Sequence, residues 1–195
     1  DTLAEICRFA EIGIVSGSDY DYIMQQCGFL TKKEEIKLKL HILPCNGTKH
    51  CAPPLYKNQK HKNVFRENMR KHIGVANFQT IMKKLIDYQN YIVSHFDLPL
   101  TGHFISYRES MINWCPIGRN ATNSDRNSFT QFDKSSGVSS FRRTLLKNLV
   151  EEFENSRIPV TVKLGGETSF DIYPNGWDKT FALTHFPEHE VYFLG

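Results

Sequence analysis

Two amphipathic segments constrain the fold of this 195-residue chain more than any other feature of its sequence. In both segments, apolar residues recur at steps of three or four residues, so each set lies on one face of a helix. The first set is Phe78, Ile81, Leu85, Tyr88 and Ile92, and the second is Phe141, Leu145, Leu149 and Phe153. Such faces are most simply explained as core packed against a sheet.

Short strand-like segments provide that sheet. They lie at residues 104–108, 111–115, 160–164 and 168–173. The predicted helices begin near Asn68, at about residue 123 and at about residue 139, and the last two end near 132 and 155. Because helices and strands are mixed without strict alternation, we predict an α+β layer with helices on one sheet face. A composition change near Asn68 and the turn Pro174-Asn175-Gly176 mark its predicted limits.

The flanking sequence predicts further elements. Residues 1–6 are typical of the tail of a helix, residues 11–15 of a strand, and Asp19 opens a helix that Gly28 stops. The turn between that strand and helix is Ser16-Gly17-Ser18, which would offer N–H groups and hydroxyls to an anion. The same residues also make an ordinary tight turn. Additional strands are predicted at residues 37–43 and 191–195.

The charge distribution does not favour a nucleic-acid partner. The chain has 24 basic and 21 acidic residues, a formal net charge of +3. The basic residues are scattered except in the window 57–71, where Phe65 is the only aromatic residue. A basic window with so little aromatic character is better explained as a solvated connector and helix start.

The cysteines favour a reducing compartment. There are five, an odd number, and none forms a Cys-x-x-Cys pair, so a disulfide framework is not expected. Cys45, His50, Cys51 and His61 lie close in sequence, but structural zinc sites use tighter and more regular pairs. No signal peptide or membrane-length apolar run appears, and we expect a cytoplasmic protein without a membrane partner.

Three arginines, Arg108, Arg119 and Arg126, are candidate ligand-binding residues. They are separated by 11 and 7 residues and fall on a predicted strand, turn and helix. A guanidinium stays charged near neutrality and presents a planar fork of donors, so converging arginines can enclose one phosphate. Isolated arginines are also common on surfaces, and spacing alone does not separate a phosphate clamp from three solvated side chains.

Longer motifs surround these arginines. The most specific is the run GGETSFDIYPNGWDK at residues 165–179. Arg108 is followed by Met-Ile-Asn and then by Cys-Pro-Ile-Gly-Arg, which ends at Arg119. Weaker motifs lie at residues 16–19 and in the Pro-x-Asn-Gly turn at residues 44–47. Together, these motifs resemble the eukaryotic-type phosphomannomutases of the haloacid dehalogenase superfamily over nearly the whole chain.

The resemblance implies an α/β fold of the haloacid-dehalogenase type. A partial Rossmann-like core would consist of residues 1–67 and 175–195, and an inserted α+β cap of residues 68–174. The substrate would bind between core and cap. The resemblance also implies a homodimer formed through the cap.

The resemblance assigns roles to individual residues as well. Arg108, Arg119 and Arg126 would hold the phosphate that is not being transferred. Ser169 and Asp171 would hydrogen-bond the phosphate or the sugar hydroxyls, with Asp171 as an acceptor.

In the core, Ser16, Gly17 and Ser18 would bind phosphate. Lys179 matches the lysine that offsets the charge of nucleophile and phosphate, although an ordinary surface lysine remains the alternative.

Two parts of the superfamily's chemistry are missing from the sequence. It contains no Asp-x-Asp-x-Thr segment, in which the first Asp is the nucleophile and the second is the general acid/base. The acidic loop that binds Mg²⁺ after the Tyr-Phe-Leu-Gly strand is also missing, and no residue is assigned as a metal ligand. We therefore expect the chain as given not to turn over. Cys45 replaces a common Glu, and Glu109-Ser110 replaces a common Asn-Gly.

The implied activity is the interconversion of mannose 6-phosphate and mannose 1-phosphate through a hexose bisphosphate, for GDP-mannose synthesis. Mg²⁺ and a hexose 1,6-bisphosphate activator belong to the complete family enzyme, and a phosphosugar is the expected substrate. Two alternatives remain. A sugar-phosphate phosphatase of the same superfamily would release phosphate, and a non-catalytic phosphosugar-binding protein would bind without turnover.

Overall fold

The two amphipathic helices bury the faces that their sequence predicts. In the computed structural model, which describes residues 2–135 and 140–194, Ile81, Leu85 and Ile92 of the first set are buried. The other members of that set are half-buried, and every member of the second set is buried. Both helices belong to a compact unit formed by Asn68–Asn175, while Asp1–Glu67 and Gly176–Gly195 form another.

The unit formed by the two chain ends contains a small mixed sheet. Its helices are α1 (Thr2–Ile6), α2 (Tyr20–Cys27) and α3 (Glu34–Lys37), with 3₁₀ helices at Gly28–Lys32, Cys45–Gly47 and Lys179–His185. Its strands are β1 (Ile12–Val15), β2 (Leu40–Leu43), β3 (Lys49–Ala52) and β4 (Lys62–Arg66). They pair in the order β1-β2-β3-β4, and only β1 and β2 are parallel. Ile23, Ile36, Leu40 and Ile42 lie in its buried core.

The Asn68–Asn175 unit combines helices with an antiparallel sheet. Its helices are α4 (Met69–Ile73), α5 (Val75–His95), α6 (Asn123–Ser135) and α7 (Phe141–Asn155). Its strands are β5 (Ile105–Tyr107), β6 (Ile112–Trp114), β7 (Val160–Gly165) and β8 (Ser169–Pro174). They form a four-stranded sheet in the order β5-β6-β8-β7. Among the described residues no helix, α5 included, has the length and apolar character needed to cross a membrane.

Alternation along β6 and β8 separates an apolar sheet face from a polar one. Trp114 and Phe170 are cross-strand partners with fully buried side chains, and their rings stack at 5.0 Å. Trp114 Nε1 also donates to Gln89 Oε1 of α5 at 2.8 Å, which ties this face to the helix. Asn113 and Asp171 are paired in the same register and therefore lie on the opposite face.

One helix predicted from the sequence is divided in two. The segment that begins near Asn68 forms α4 and α5, with Gly74 between them at φ +84°. That left-handed conformation suits glycine and interrupts the right-handed helix. Asn68 caps α4 by accepting a hydrogen bond from Lys71 N at 2.9 Å. The predicted start of the last long helix at Ser139 lies outside the described residues, and Ser140 caps α7.

Two strand predictions for the other unit need correction, and the predicted end of the helix at Gly28 is confirmed. The strand predicted at 37–43 begins only at Leu40, because the N–H groups of residues 37–39 donate to carbonyls of residues 33–36 and continue the turn of α3. Gly28 ends α2 but keeps a right-handed φ of −60°, so the chain continues as a 3₁₀ helix. Residues 191–194 are exposed and do not form a strand, since no described strand pairs with them.

Candidate functional site

Asn113 lies at the centre of a hydrogen-bond network on the polar sheet face. Its Nδ2 donates to Asp171 Oδ1 at 2.7 Å and to Ser169 Oγ at 3.0 Å. Ser169 Oγ in turn donates to Gly165 O at 2.5 Å. Asn113 is the cross-strand partner of Asp171, and Ser169 is the partner of Gly165. Strand pairing therefore builds this network from residues that are distant in sequence.

Gly165 makes room for the Asp171 carboxylate. A Cβ atom added at Gly165 would lie 2.8 Å from Asp171 Oδ2 and 2.9 Å from its Cγ. These separations are too short for non-bonded heavy atoms of this kind, so a larger residue at position 165 would displace the carboxylate. The glycine of the sequence motif thus has a direct packing reason in the network.

A tight turn places Arg119 beside Asn113. The preceding Gly118 has φ +90°, and a Cβ atom there would lie 2.2 Å from Gly102 O, so this close approach requires glycine. Arg119 Nη1 donates to Asn113 Oδ1 at 2.9 Å. One amide group thus bonds a guanidinium through its oxygen and a carboxylate through its nitrogen.

Arg126 of α6 is oriented by three hydrogen bonds from its guanidinium. Nε donates to Ala121 O at 3.2 Å, and Nη1 donates to Thr168 Oγ1 at 3.0 Å. Nη2 donates to the backbone oxygen of Arg119 at 3.3 Å, which connects the two arginines. Because a guanidinium carries five N–H donors, these bonds orient the fork and leave donors for a ligand.

The Asp171 carboxyl responds to two arginine charges. Burial raises its pKa above the ordinary value of an aspartate, and this is the largest effect. The hydrogen bond from Asn113 and the positive charges of Arg108 and Arg119 act in the opposite direction. The influence of Arg108 shows that its guanidinium belongs to the same electrostatic environment. A desolvated carboxylate in this position would accept a hydrogen bond from a ligand hydroxyl strongly.

Replacing Asp171 with asparagine should stabilise the unliganded protein near pH 7. Because burial raises the pKa of Asp171 above its unfolded value, its charged form costs stability at pH values above the folded pKa. That cost disappears below the unfolded pKa, so the stability difference between Asp171→Asn and wild type should shrink as the pH falls. Urea unfolding from pH 3 to 8 measures this, with the exposed Asp97→Asn as control. A lower stability of Asp171→Asn at pH 7 would contradict the account.

A fourth arginine, Arg142, supports the network by bonding the turn between β7 and β8. Arg142 and Asp133 are both buried, and Arg142 Nε donates to Asp133 Oδ2 at 3.1 Å. Arg142 Nη1 donates to Gly166 O at 3.0 Å and to Ser169 O at 3.4 Å. This arginine therefore holds the turn between β7 and β8 in place. Its role is not evident from the sequence, because a charged residue beside the apolar stripe of α7 resembles an ordinary surface residue.

The structure places the predicted site residues in two groups. Arg119, Arg126, Ser169 and Asp171 belong to one hydrogen-bond network, and Arg108 acts on it through its charge. Asn113 and Thr168 are further members of the network, and both lie within the sequence motifs, which alone do not indicate a role for them.

The remaining predicted residues belong to the other unit. Lys179 is exposed at the start of its 3₁₀ helix. In the predicted anion-binding turn, Ser18 N donates to Ser16 Oγ at 3.1 Å, and Ser16 O accepts from Asn46 N at 2.8 Å. The turn is therefore built partly from internal hydrogen bonds.

The described residues do not fit a metal centre. Across 2–135 and 140–194, no group of three or more His, Cys, Asp or Glu side chains is arranged to hold a metal ion. Mg²⁺ is usually bound through one or two carboxylates together with phosphate oxygens and waters. Near the cysteines and histidines at residues 45–61, His50 Nε2 lies 2.7 Å from His41 Nδ1, and His61 Nε2 lies 2.8 Å from Leu40 O.

Comparison with known sequences identifies a family. The model of eukaryotic phosphomannomutases matches residues 1–195. A phosphomannomutase of Drosophila melanogaster is 34% identical over 191 residues, covering 95% of this chain and 68% of that protein. Phosphomannomutase 1 of Dictyostelium discoideum is 32% identical over 200 residues, covering 100% of this chain and 72% of that protein.

Comparison with solved structures supports the fold. The IMP-nucleotidase of Plasmodium falciparum matches with a TM-score of 0.57 at 11% sequence identity, covering 94% of this chain and 49% of that chain. An N-terminally truncated form of that nucleotidase gives a TM-score of 0.59 and 53% coverage of its own chain. The chain thus spans about half the length of these structures. At this identity the likeness concerns the fold alone, and it confirms the predicted haloacid-dehalogenase-like fold.

Proposed function

The chain belongs to the eukaryotic phosphomannomutase family, and we propose that its Asn68–Asn175 unit holds a sugar phosphate during interconversion of mannose 6-phosphate and mannose 1-phosphate. The observation that carries this proposal is the network in which Asn113 bonds Arg119, Asp171 and Ser169, with Arg126 attached to the Arg119 backbone. It combines donors suited to a phosphate with an acceptor suited to a sugar hydroxyl.

The chemistry of a mutase explains why such a site is useful. A bisphosphorylated sugar intermediate presents one phosphate to the reacting centre while the other must be held and later exchanged. Arginine forks bind phosphate through paired, charge-assisted hydrogen bonds, and they remain charged at any physiological pH. We therefore assign Arg108, Arg119 and Arg126 to the phosphate that is not transferred.

The sugar itself would be oriented by the carboxylate and hydroxyl of the network. A mannose hydroxyl would donate to the Asp171 carboxylate, and Ser169 Oγ lies 3.0 Å from the same Asn113 Nδ2. The glycine at position 165 is consistent with this assignment, because a side chain there would displace the Asp171 carboxylate. Holding the ring and its phosphate together lowers the entropy cost of reaching a reactive orientation.

The core residues are assigned on the family resemblance. Ser16, Gly17 and Ser18 would bind the transferring phosphate, and exposed Lys179 would offset its charge. Mg²⁺ and a hexose 1,6-bisphosphate activator of the complete family enzyme, a homodimer formed through the cap and a cytoplasmic location are proposed on the same basis. The absence of an Asp-x-Asp-x-Thr segment supports the expectation that these 195 residues alone do not turn over.

An assay of the full-length gene product tests the proposed activity. Mannose 1-phosphate with a catalytic amount of hexose 1,6-bisphosphate should give mannose 6-phosphate, detected by a coupled dehydrogenase reaction. Inorganic phosphate release in parallel samples distinguishes the alternatives. Release of phosphate without mannose 6-phosphate would replace the mutase by a phosphatase, and binding without either product would indicate a non-catalytic phosphosugar-binding protein.

A further inference from the structure

Arg119, in the turn after β6, and Asp171 of β8 carry opposite charges, yet the Asn113 amide group lies between them. Arg119 Nη1 bonds Asn113 Oδ1 at 2.9 Å, and Asp171 Oδ1 bonds Asn113 Nδ2 at 2.7 Å. Within the described part of the chain, the contacts between these two residues pass through this amide and not through a direct ion pair. An indirect contact is unexpected here, because opposite charges in a partly buried site attract strongly and would ordinarily form a direct ion pair.

We propose that Asn113 is a positioning residue that keeps Arg119 and Asp171 apart, so that both charges remain available to a phosphosugar. A direct ion pair would satisfy each group with the other and would have to be broken before a ligand could bind. A neutral amide satisfies one hydrogen bond of each group without neutralising either charge. This spacer role rests on the proposed sugar-phosphate function of the network.

The amide is well placed for this task. Asn113 is only 3% exposed, and the strand register fixes it opposite Asp171. Further hydrogen bonds, from Nδ2 to Ser169 Oγ and to Phe170 O, restrain rotation of the amide. The assignment of its oxygen and nitrogen is also determined by chemistry, since a guanidinium only donates and a carboxylate accepts. Asparagine is therefore the residue type that can face both partners at once.

Other positive charges near Asp171 could also attract its carboxylate when the Asn113 amide is removed. Arg108 follows β5 and lowers the pKa of Asp171 through its charge, as Arg119 does. Lys163 of β7 is the cross-strand partner of Asp171 on its other side. Without the Asn113 amide, the carboxylate would therefore move toward a guanidinium, and Arg119 is the one that loses its own partner at the same time.

The first test measures inorganic phosphate and mannose 1-phosphate binding to the 195-residue chain by calorimetry. Asn113→Ala should weaken both affinities by about tenfold or more, because Arg119 becomes paired with Asp171. Adding Asp171→Asn to Asn113→Ala should restore the inorganic phosphate affinity to about that of Asp171→Asn alone, since no carboxylate then captures Arg119. A purely structural role predicts no such rescue, and its absence would overturn the spacer role. Asn120→Ala, in an exposed asparagine that bonds Thr101 O, is the matched control.

The second test does not depend on any ligand. Carbon-13 NMR of labelled aspartate follows the Asp171 carboxyl through a pH titration. Loss of the Asn113 hydrogen bond alone would raise its pKa, whereas a direct ion pair with Arg119 should lower it in Asn113→Ala and Asn113→Ser relative to wild type. Asn113→Ser retains a polar group at this position, so it replaces Asn113→Ala in the test if the alanine variant folds poorly. A raised or unchanged Asp171 pKa in the folded variants would overturn the proposal. If the wild-type chain binds no phosphosugar, the proposed function fails, while this titration still decides the spacer role.

Discussion

Replacing Asp133 with alanine should lower the free energy of unfolding of the Asn68–Asn175 unit by about 3–5 kcal/mol. Asp133 accepts from Arg142 N at 2.7 Å and from Arg142 Nε at 3.1 Å. Their side chains are only 7% and 10% exposed, so the substitution leaves a buried guanidinium without its counter-charge. It also removes the acceptor of a backbone N–H in the first turn of α7.

Urea unfolding followed by circular dichroism measures this loss. The control is Glu151→Ala, which removes an exposed pair with Lys147 on the same helix and should cost less than about 0.5 kcal/mol. Adding Arg142→Met to Asp133→Ala should recover part of the lost stability, because a buried ion pair is harmed most when one partner remains. A loss below about 1 kcal/mol for Asp133→Ala would show that the pair is not buried as described.

Replacing Arg126 with alanine should weaken binding of mannose 1-phosphate by about 2–5 kcal/mol, the usual range for truncating one partner of a desolvated charged pair. The variant loses the guanidinium donors themselves and also the contacts that fix the turn, to Ala121 O, Arg119 O and Thr168 Oγ1. Arg126→Lys should recover only part of the affinity, because an ammonium keeps the charge without the planar fork.

Calorimetric titration with mannose 1-phosphate measures the effect on affinity. Arg143→Ala is the matched control, since Arg143 is an exposed arginine of α7 that lies outside the network. Its affinity should stay within about twofold of wild type, as expected for a distant surface charge. Unchanged binding by Arg126→Ala would remove this residue from the ligand site.

The parts of the fold that were predictable depend on local patterns. Helix faces follow from the spacing of apolar residues, and the structure confirms this for Leu145, Leu149 and Phe153. The division at Gly74 was missed, because an isolated glycine inside a helical pattern is often tolerated. The strand predicted at residues 191–195 was wrong over the described residues 191–194, because a strand depends on a pairing partner that composition does not supply.

The site was predictable only in its residue types. The motifs pointed to Arg119, Arg126 and Asp171, and the structure joins them in one network. The bridging position of Asn113 depends on the register of β6 and β8, which brings together residues 58 positions apart. The support from Arg142 depends likewise on how α6 meets α7. Such long-range contacts have no local sequence signal.

The most direct test of the central claim, that the Asn68–Asn175 unit holds a sugar phosphate, is a calorimetric titration of the 195-residue chain with mannose 1-phosphate. The network of Arg119, Arg126, Asn113 and Asp171 predicts saturable binding at or below millimolar ligand, with a stoichiometry of one per chain. Inorganic phosphate should bind more weakly, because it cannot occupy the Asp171 acceptor with a sugar hydroxyl. An absence of binding heat at millimolar mannose 1-phosphate, in a chain shown to be folded, would contradict the account.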